Sequence, residues 1–283
     1  MLFLCYNFIG DKMKDKRFIT TLIISLVLVG SLLVYYFVRE GFNHIEPKLV
    51  DSYEIDYNEV VSVNLSLIST DITIKPTEEE LIKVEYYSNY NKNPKIEMVD
   101  NVIRIDENEF NSACIGFCNI IRKVIVYVPS QYAGSFNFVT VSGDINSEID
   151  MSNDHINITT VSGDAKLDIT NIINATTVSG DIKINSVQGK IDVVTTSGDI
   201  KINSVQGKID VDTTSGDIKI GTLNIDTESE INTISGDIEI DNNECNCYID
   251  FSSISGDNHI KKSDRKSDLV LKVKTTSGDI IVN

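Results

Sequence analysis

Ser-Gly-Asp occurs eight times in the second half of the chain, at Ser142, Ser162, Ser179, Ser197, Ser215, Ser235, Ser255 and Ser277. Hydroxyl and carboxylate flanking a glycine can serve two ends. As a corner, Gly takes a positive-φ bend while Ser and Asp bond local backbone N–H groups. Ser179, Gly180, Ser197, Gly198, Ser215, Gly216, Ser235 and Gly236 are the residues expected in that structural role. As a metal ladder, the carboxylates would lie one repeat apart, where like charges repel. Ca²⁺ relieves such repulsion, since it takes carboxylate and carbonyl oxygens, and Asp181, Asp199, Asp217 and Asp237 are the candidate ligands. The spacing does not match the Gly-rich nonapeptide Ca²⁺ repeat. The corner is therefore the preferred reading, and no cofactor is expected, with Ca²⁺ as the one candidate.

The remaining reactive residues are sparse. Five cysteines include Cys114-x3-Cys118 and Cys245-x-Cys247. Cys247 shares parity with Ile249 and Phe251, which places it in a core. A disulfide and a four-Cys zinc site stay open as alternatives. His44, His155 and His259 are scattered, and the sequence has no nucleophile elbow, phosphate loop or dinucleotide fingerprint. No catalytic residues are expected. A polysaccharide-active enzyme is the minor alternative, although a repeat this uniform shows no grafted site, and sites usually break local rules.

Whatever these side chains do, they sit on an acidic chain. Its 283 residues carry 42 acidic and 25 basic groups, a net charge of −17, with no Trp and only four Pro. That charge argues against nucleic acid, whose phosphates need a basic face. Apolar residues at 41% suffice for a core. Phe18 to Val38 is 21 residues without a charge, long enough at about 1.5 Å per residue to cross a bilayer. Lys12, Lys14, Lys16 and Arg17 precede it, which places the N-terminus in the cytoplasm and the remainder outside. Tyr35 and Tyr36 suit the outer interface. A cleaved signal peptide lacks a small-residue site, since no Ala precedes Ala113. Met13 begins a complete signal anchor, so Met1 and Met13 both stand as starts. Residues 1–40 hold five basic and three acidic groups, net +2, so residues 41–283 carry −19.

The Ser-Gly-Asp spacings are 20, 17, 18, 18, 20, 20 and 22 residues, and one unit is nearly duplicated from Ser179 and Ser197. Aligned on Ser, apolar columns stand three and five residues after it (Ile182, Ile200, Ile218 and Ile238; Ile184, Ile202, Ile220 and Ile240). Others stand four and six before it (Val193, Val211, Ile231 and Phe251; Ile191, Ile209, Ser229 and Ile249). Two before it every turn has a hydroxyl, from Thr140 to Thr275. Polar residues fill the positions between, giving a period of two. Each turn reads as strand, loop, strand, corner. One such unit cannot bury its Ile face alone, but stacked units form continuous ladders. The expected fold is all-β: a right-handed parallel β-solenoid of about eight regular turns, with an irregular N-terminal β-cap, preceded by one transmembrane helix. The Thr column is expected to form a hydroxyl ladder bonding neighbour to neighbour.

Upstream, Val61 to Ile74 alternates, and Ser69-Thr70-Asp71 looks like a decayed corner. Leu81–Tyr87, Lys95–Val99, Val102–Ile105 and Val124–Val128 read as further strands. The expected organisation is residues 1–17 as cytoplasmic N-terminus, 18–38 as signal anchor, 39–56 as juxtamembrane linker, 57–130 as N-terminal β-cap and 131–283 as solenoid. The last strand, Asp279 to Asn283, has no visible cap and reads as an open edge.

The run Val124–Pro129 leading into Phe136–Ile145, followed by repeated T-T-S-G-D-I, resembles the bacterial adhesin-type β-strand-repeat family over roughly residues 57–283. The resemblance implies an exported or membrane-anchored solenoid, some members being linked to envelope stress systems, and it supplies no catalytic residues. The Cys-containing insert around Cys114 and Cys118 departs from the pattern. The function expected is a non-enzymatic, membrane-anchored, extracytoplasmic binding protein, adhesin-like or associated with envelope stress. Its partners would be the lipid bilayer through residues 18–38, an envelope protein or glycan, and a second copy of itself. A scaffold self-assembling through the C-terminal edge is the alternative.

Overall fold

An extended chain that alternates Ile or Val with Lys, Asp or Asn exposes a whole apolar face, which only a neighbouring copy of the same pattern can cover. The computed structural model describes residues 46–90, 94–107 and 120–283, together with Leu28, Val29, Ser31 and Leu32. Those last four are helical. The rest of the 18–38 segment lies outside the described residues, as do Cys114 and Cys118. Among the described residues no helix is long and apolar enough to cross a membrane. Residues 47–283 form one compact unit, which holds the solenoid.

Twenty strands are described there. The first seven are β1 (Lys48–Asp56), β2 (Ser62–Ser66), β3 (Asp71–Thr77), β4 (Leu81–Ser88), β5 (Ile96–Val99), β6 (Val102–Asp106) and β7 (Arg122–Pro129). The next seven are β8 (Ser135–Val139), β9 (Ile145–Ser147), β10 (Asp150–Thr159), β11 (Ala165–Thr176), β12 (Ile182–Val194), β13 (Ile200–Asp212) and β14 (Ile218–Asn224). The chain ends with β15 (Ser229–Asn232), β16 (Ile238–Asn243), β17 (Tyr248–Ser255), β18 (Asn258–Ile260), β19 (Val270–Ser277) and β20 (Ile280–Val282).

Parallel pairing stacks the repeats in register. The duplicated units pair residue for residue, from Ile182 with Ile200 to Val194 with Asp212, and the Ile column continues through Ile218, Ile238 and Ile280. These side chains are essentially inaccessible. Ser69-Thr70-Asp71 is a true corner: Ile72 pairs with Ile145 and Ile74 with Ser147.

The turn itself departs from the strand–loop–strand expectation. β12 and β13 each run through both arms without a loop. A further buried column, Val187, Val205 and Leu223, follows the bend. It lies an odd number of residues from the first Ile column, so side-chain parity flips where the chain turns at Asn185–Ser186. Three residues beyond Ser186 and Ser204, Gly189 and Gly207 have φ of 157° and 128°, and a Cβ on Gly207 would lie 2.1 Å from the Gly189 carbonyl oxygen.

Both ends interleave. β2 lies between β6 and β8, and β3 between β7 and β9, all parallel. The cap is completed by antiparallel strands, with β5 on β6, β4 on β7 and β1 on β4. Residues 48–56, expected as linker, are therefore a strand, with Tyr53 and Ile55 packed against the core. At the other end β19 lies between β15 and β17, and β20 between β16 and β18. The C-terminal strand is thus not an open edge, because both its sides are hydrogen-bonded. The outer coil is Tyr248–Ile260, and there Phe251, in a column expected to be core, is 43% exposed. The loop from Lys261 to Leu269 covers the start of this edge, Ile249 N–H donating to Ser263 Oγ at 2.9 Å. Lysines beside a strand edge discourage pairing with another chain.

Candidate functional site: the corner ladder and a polar groove

The Ser-Gly-Asp corners are built between coils more than within them. Gly180 and Gly198 have no positive φ, so the bend is not what selects glycine. Close approach is: a Cβ on Gly180 would lie 1.9 Å from the Gly163 carbonyl oxygen, and one on Gly198 would lie 1.9 Å from that of Gly180. Gly216 and Gly236 are equally tight, at 2.1 and 2.2 Å. Ser179 and Ser197 do not bond local N–H groups either. Their hydroxyls donate to the Val161 and Val178 carbonyls of the preceding coil at 3.3 and 3.4 Å. Ser215 and Ser235 join that coil through backbone N–H to Thr196 and Thr214 carbonyls at 3.0 and 2.9 Å.

The Thr column is buried as expected, but its hydroxyls do not bond one another. Thr177 Oγ1 accepts the Gly180 N–H at 3.0 Å, and Thr195 Oγ1 the Gly198 N–H at 3.1 Å. Towards the C-terminal end Thr233 and Thr275 hydroxyls donate across the coil to Gly216 and Gly236 carbonyls at 3.3 and 3.1 Å. Thr140, Thr160, Thr177 and Thr195 therefore supply the corner glycine with the acceptor its N–H needs, whereas Thr213 Oγ1 is buried without a hydrogen bond among the described residues.

The Asp column forms a continuous ladder. The N–H of Asp199 donates to Asp181 Oδ1 at 3.1 Å, that of Asp217 to Asp199 at 3.0 Å, and that of Asp237 to Asp217 at 2.9 Å. The run begins with Asp144 N–H on Asp71 at 3.0 Å and passes from Asp237 to Asp279 to Asp257 at 2.8 Å each. One oxygen of each bonded carboxylate is thus committed to the next coil, and the donor partly offsets the stacked charge. Among the described residues no group of three or more His, Cys, Asp or Glu is placed to hold a metal ion. Cys245 and Cys247 are buried and joined as a disulfide.

Two residues beyond Asp164, Asp181, Asp199 and Asp217 stand Lys166, Lys183, Lys201 and Lys219, paired coil to coil. Two further stand Asp168, Asn185 and Asn203. Asn185 Nδ2 donates to Asp168 Oδ1 at 2.8 Å and Asn203 Nδ2 to Asn185 Oδ1 at 3.0 Å. Between the lysine and amide columns runs a groove of about 450 Å³, crossing four coils from Asn146 to Lys201. Lys219 follows Lys201 on the next coil, held by Glu239 at 2.7 Å and Asp241 at 3.5 Å, and the hydrogen bond to Glu239 raises its pKa above the usual lysine value.

Residues 60–283 match the family described as Toastrack DUF4097. The chain belongs to that family. No curated protein matches the Toastrack chain. Solved structures similar to it include a candidate cell adhesion protein from Clostridium sporogenes, 15% identical, covering 84% of this chain and 99% of that one, with a TM-score of 0.28. A candidate adhesin from Bacteroides fragilis is 13% identical over 83% and 97% of the two chains, TM-score 0.38. One from Parabacteroides distasonis is 18% identical over 84% and 98%, TM-score 0.30.

Two features of this Toastrack chain escaped the sequence reading. The lysine and amide columns are visible in the alignment on Ser, at four and six residues after it, but there they are only the polar half of the alternation. Glu107 is the other. It is fully buried, accepting from Ile68 N–H at 2.8 Å, Tyr86 O–H at 2.7 Å and the Thr70 hydroxyl. Burial, then the Glu107 charge, pushes the Tyr86 phenol pKa upward. Because Asp106 pairs with Ser66 and Ser66 with Val139, Glu107 stands at the level of Thr140. It provides to the decayed corner the acceptor that Thr provides elsewhere.

Proposed function

We propose that this Toastrack protein is a non-enzymatic binding module of the cell envelope, adhesin-like, held to the lipid bilayer through residues 18–38 with residues 47–283 outside the cytoplasm, in right-handed coils. The observation that carries this reading is the in-register lysine and amide columns beside the corner ladder, open as a groove across four coils. A surface that repeats one set of polar groups at the coil spacing is suited to holding an extended partner through many weak contacts. An association with envelope stress is part of the same reading and rests on the family resemblance.

The test is twofold. External protease should degrade residues 47–283 in intact cells, and the full chain should co-sediment with isolated envelope material. Protection of the domain in intact cells, or no retention on envelopes, would overturn the proposal.

A further inference from the structure

Resting on that binding reading, we propose that the groove between the lysine and amide columns is a site for a linear carboxylated polysaccharide lying along the coil stack. In a protein of net charge −17, Lys166, Lys183 and Lys201 are exposed and stacked in register on successive coils. Like charges directly opposite on neighbouring strands are destabilising, so the column carries a cost that an anionic partner would remove. Lys219 has its own carboxylates, whereas among the described residues Lys166 and Lys201 have none within ion-pair distance, and Lys183 reaches only Asp181, at 3.3 Å.

The opposite wall is made for hydroxyl groups. Asn185 and Asn203 each spend one N–H on the preceding coil, which fixes the amide and leaves its second N–H for a ligand, while Glu148 and Asp168 line the groove at the same position on the two coils before them as acceptors. One row of cations and one of hydroxyl-binding amides and carboxylates, both at the coil spacing of about 4.8 Å, match a chain of sugars bearing recurrent carboxylates. A peptide would need a free strand edge, and β11 and β12 at the floor are paired on both sides. A poly(glycerol phosphate) chain offers fewer hydroxyls per charge to the Asn wall than a uronate chain does.

The experiment is calorimetric titration of the full chain in mild detergent with polygalacturonate oligomers, a neutral galactan of equal length and poly(glycerol phosphate). Polygalacturonate should bind tightest, and its affinity should fall as salt rises. The triple variant K166Q/K183Q/K201Q should bind it about tenfold more weakly, as expected for three exposed ion pairs. Its melting temperature should be unchanged or higher, and the pair K190Q/K208Q, on another face, should bind as the natural chain does. Equal affinity for the neutral galactan, preference for the phosphate polymer, or unaltered binding by the triple variant would overturn the proposal. Retention on envelopes without polygalacturonate binding would remove this inference alone; loss of both would remove the binding reading as well.

Discussion

Replacing Gly198 with alanine separates two explanations of the Ser-Gly-Asp corner. The new Cβ would lie 1.9 Å from the Gly180 carbonyl oxygen and 2.7 Å from its carbon, about 1.1 Å inside the 3.0 Å that real Cβ contacts respect. Both obstacles are backbone, so the coils themselves must part. Three backbone N–H groups hold them together at this corner, besides the longer Ser197 hydroxyl bond: Ser197 N–H to the Val178 carbonyl at 2.9 Å, Asp199 N–H to Asp181 Oδ1 at 3.1 Å, and Ile182 N–H to the Asp199 carbonyl at 2.9 Å. Opening the stack by about 1 Å breaks them. At roughly 1 kcal/mol each the cost is about 3 kcal/mol, against which alanine's smaller unfolded-state entropy returns about 0.4–1 kcal/mol. Urea unfolding followed by far-UV circular dichroism should show a loss of about 2–3 kcal/mol, with a melting temperature lower by about 5–10 °C. Gly198→Asn is the discriminating companion. A positive-φ glycine would be replaced better by Asn than by Ala, whereas steric exclusion makes Asn at least as harmful. A Gly198→Ala protein within 0.5 kcal/mol of the natural chain, or an Asn variant more stable than the Ala variant, would refute the close-approach argument.

Asp199→Asn should be neutral or slightly stabilising, because the amide oxygen still accepts the Asp217 N–H while one stacked charge is removed; Asp199→Ala should cost about 1 kcal/mol, and chemical denaturation measures both. Glu107→Ala should destabilise by about 2–4 kcal/mol, since it strands three donors, two of them buried hydroxyls, while Glu107→Gln should cost less; the readout is the melting temperature. Amides of β19 should exchange with deuterium more slowly than those of β17 although they lie nearer the C-terminus, and fastest exchange in Val270–Ser277 would contradict the interleaved coils. In the cap, burial raises the Glu85 pKa but hydrogen bonds from Tyr87 and Lys83 outweigh it, leaving it lowered, and the bond to Glu85, then burial, pushes Tyr87 up to about 12. The Glu85 contribution is therefore present above the unfolded carboxylate pKa and lost on acidification, while that of Tyr87 is complete below pH 10 and lost as pH rises through about 12; Glu85→Gln should flatten both limbs of a stability–pH curve.

The apolar columns were legible because in-register parallel stacking writes the same side chain into every unit: Ile182, Ile200 and Ile218 repeat in sequence because they touch in space. Val187, Val205 and Leu223 repeat just as faithfully, but they fall on the wrong parity for a flat strand, and only a bend without a loop brings them inward. The repeat marks Gly, Ser and Asp as one set without showing what each of them touches. A sequence shows that Gly, Ser and Asp are adjacent, not that each faces the coil before or after it, so positive φ and local bonding were the natural inference where inter-coil contact is the fact. Coil order at the ends was not legible at all, since Leu271 and Val273 satisfy the columns equally well in any layer. Glu107 sits where other coils have Thr, and an acid in a polar stretch carries no mark of burial. Residues 48–56 did carry a signal, with Tyr53 and Ile55 two apart, but one short alternation among acidic residues resembles a tether.

The interleaved end has a mechanical consequence. A strand at the rim of a sheet can be peeled away one hydrogen bond at a time, at low force. β19 has no such route, because Ser229–Asn232 grips it on one side and Tyr248–Ser255 on the other. A pull along the chain from Asn283 loads both rows together in shear, so the force is shared among many bonds and the tail must be drawn out from between two layers. The layer open to peeling is instead the outer coil, whose strands β17 and β18 each pair with a strand on one side only.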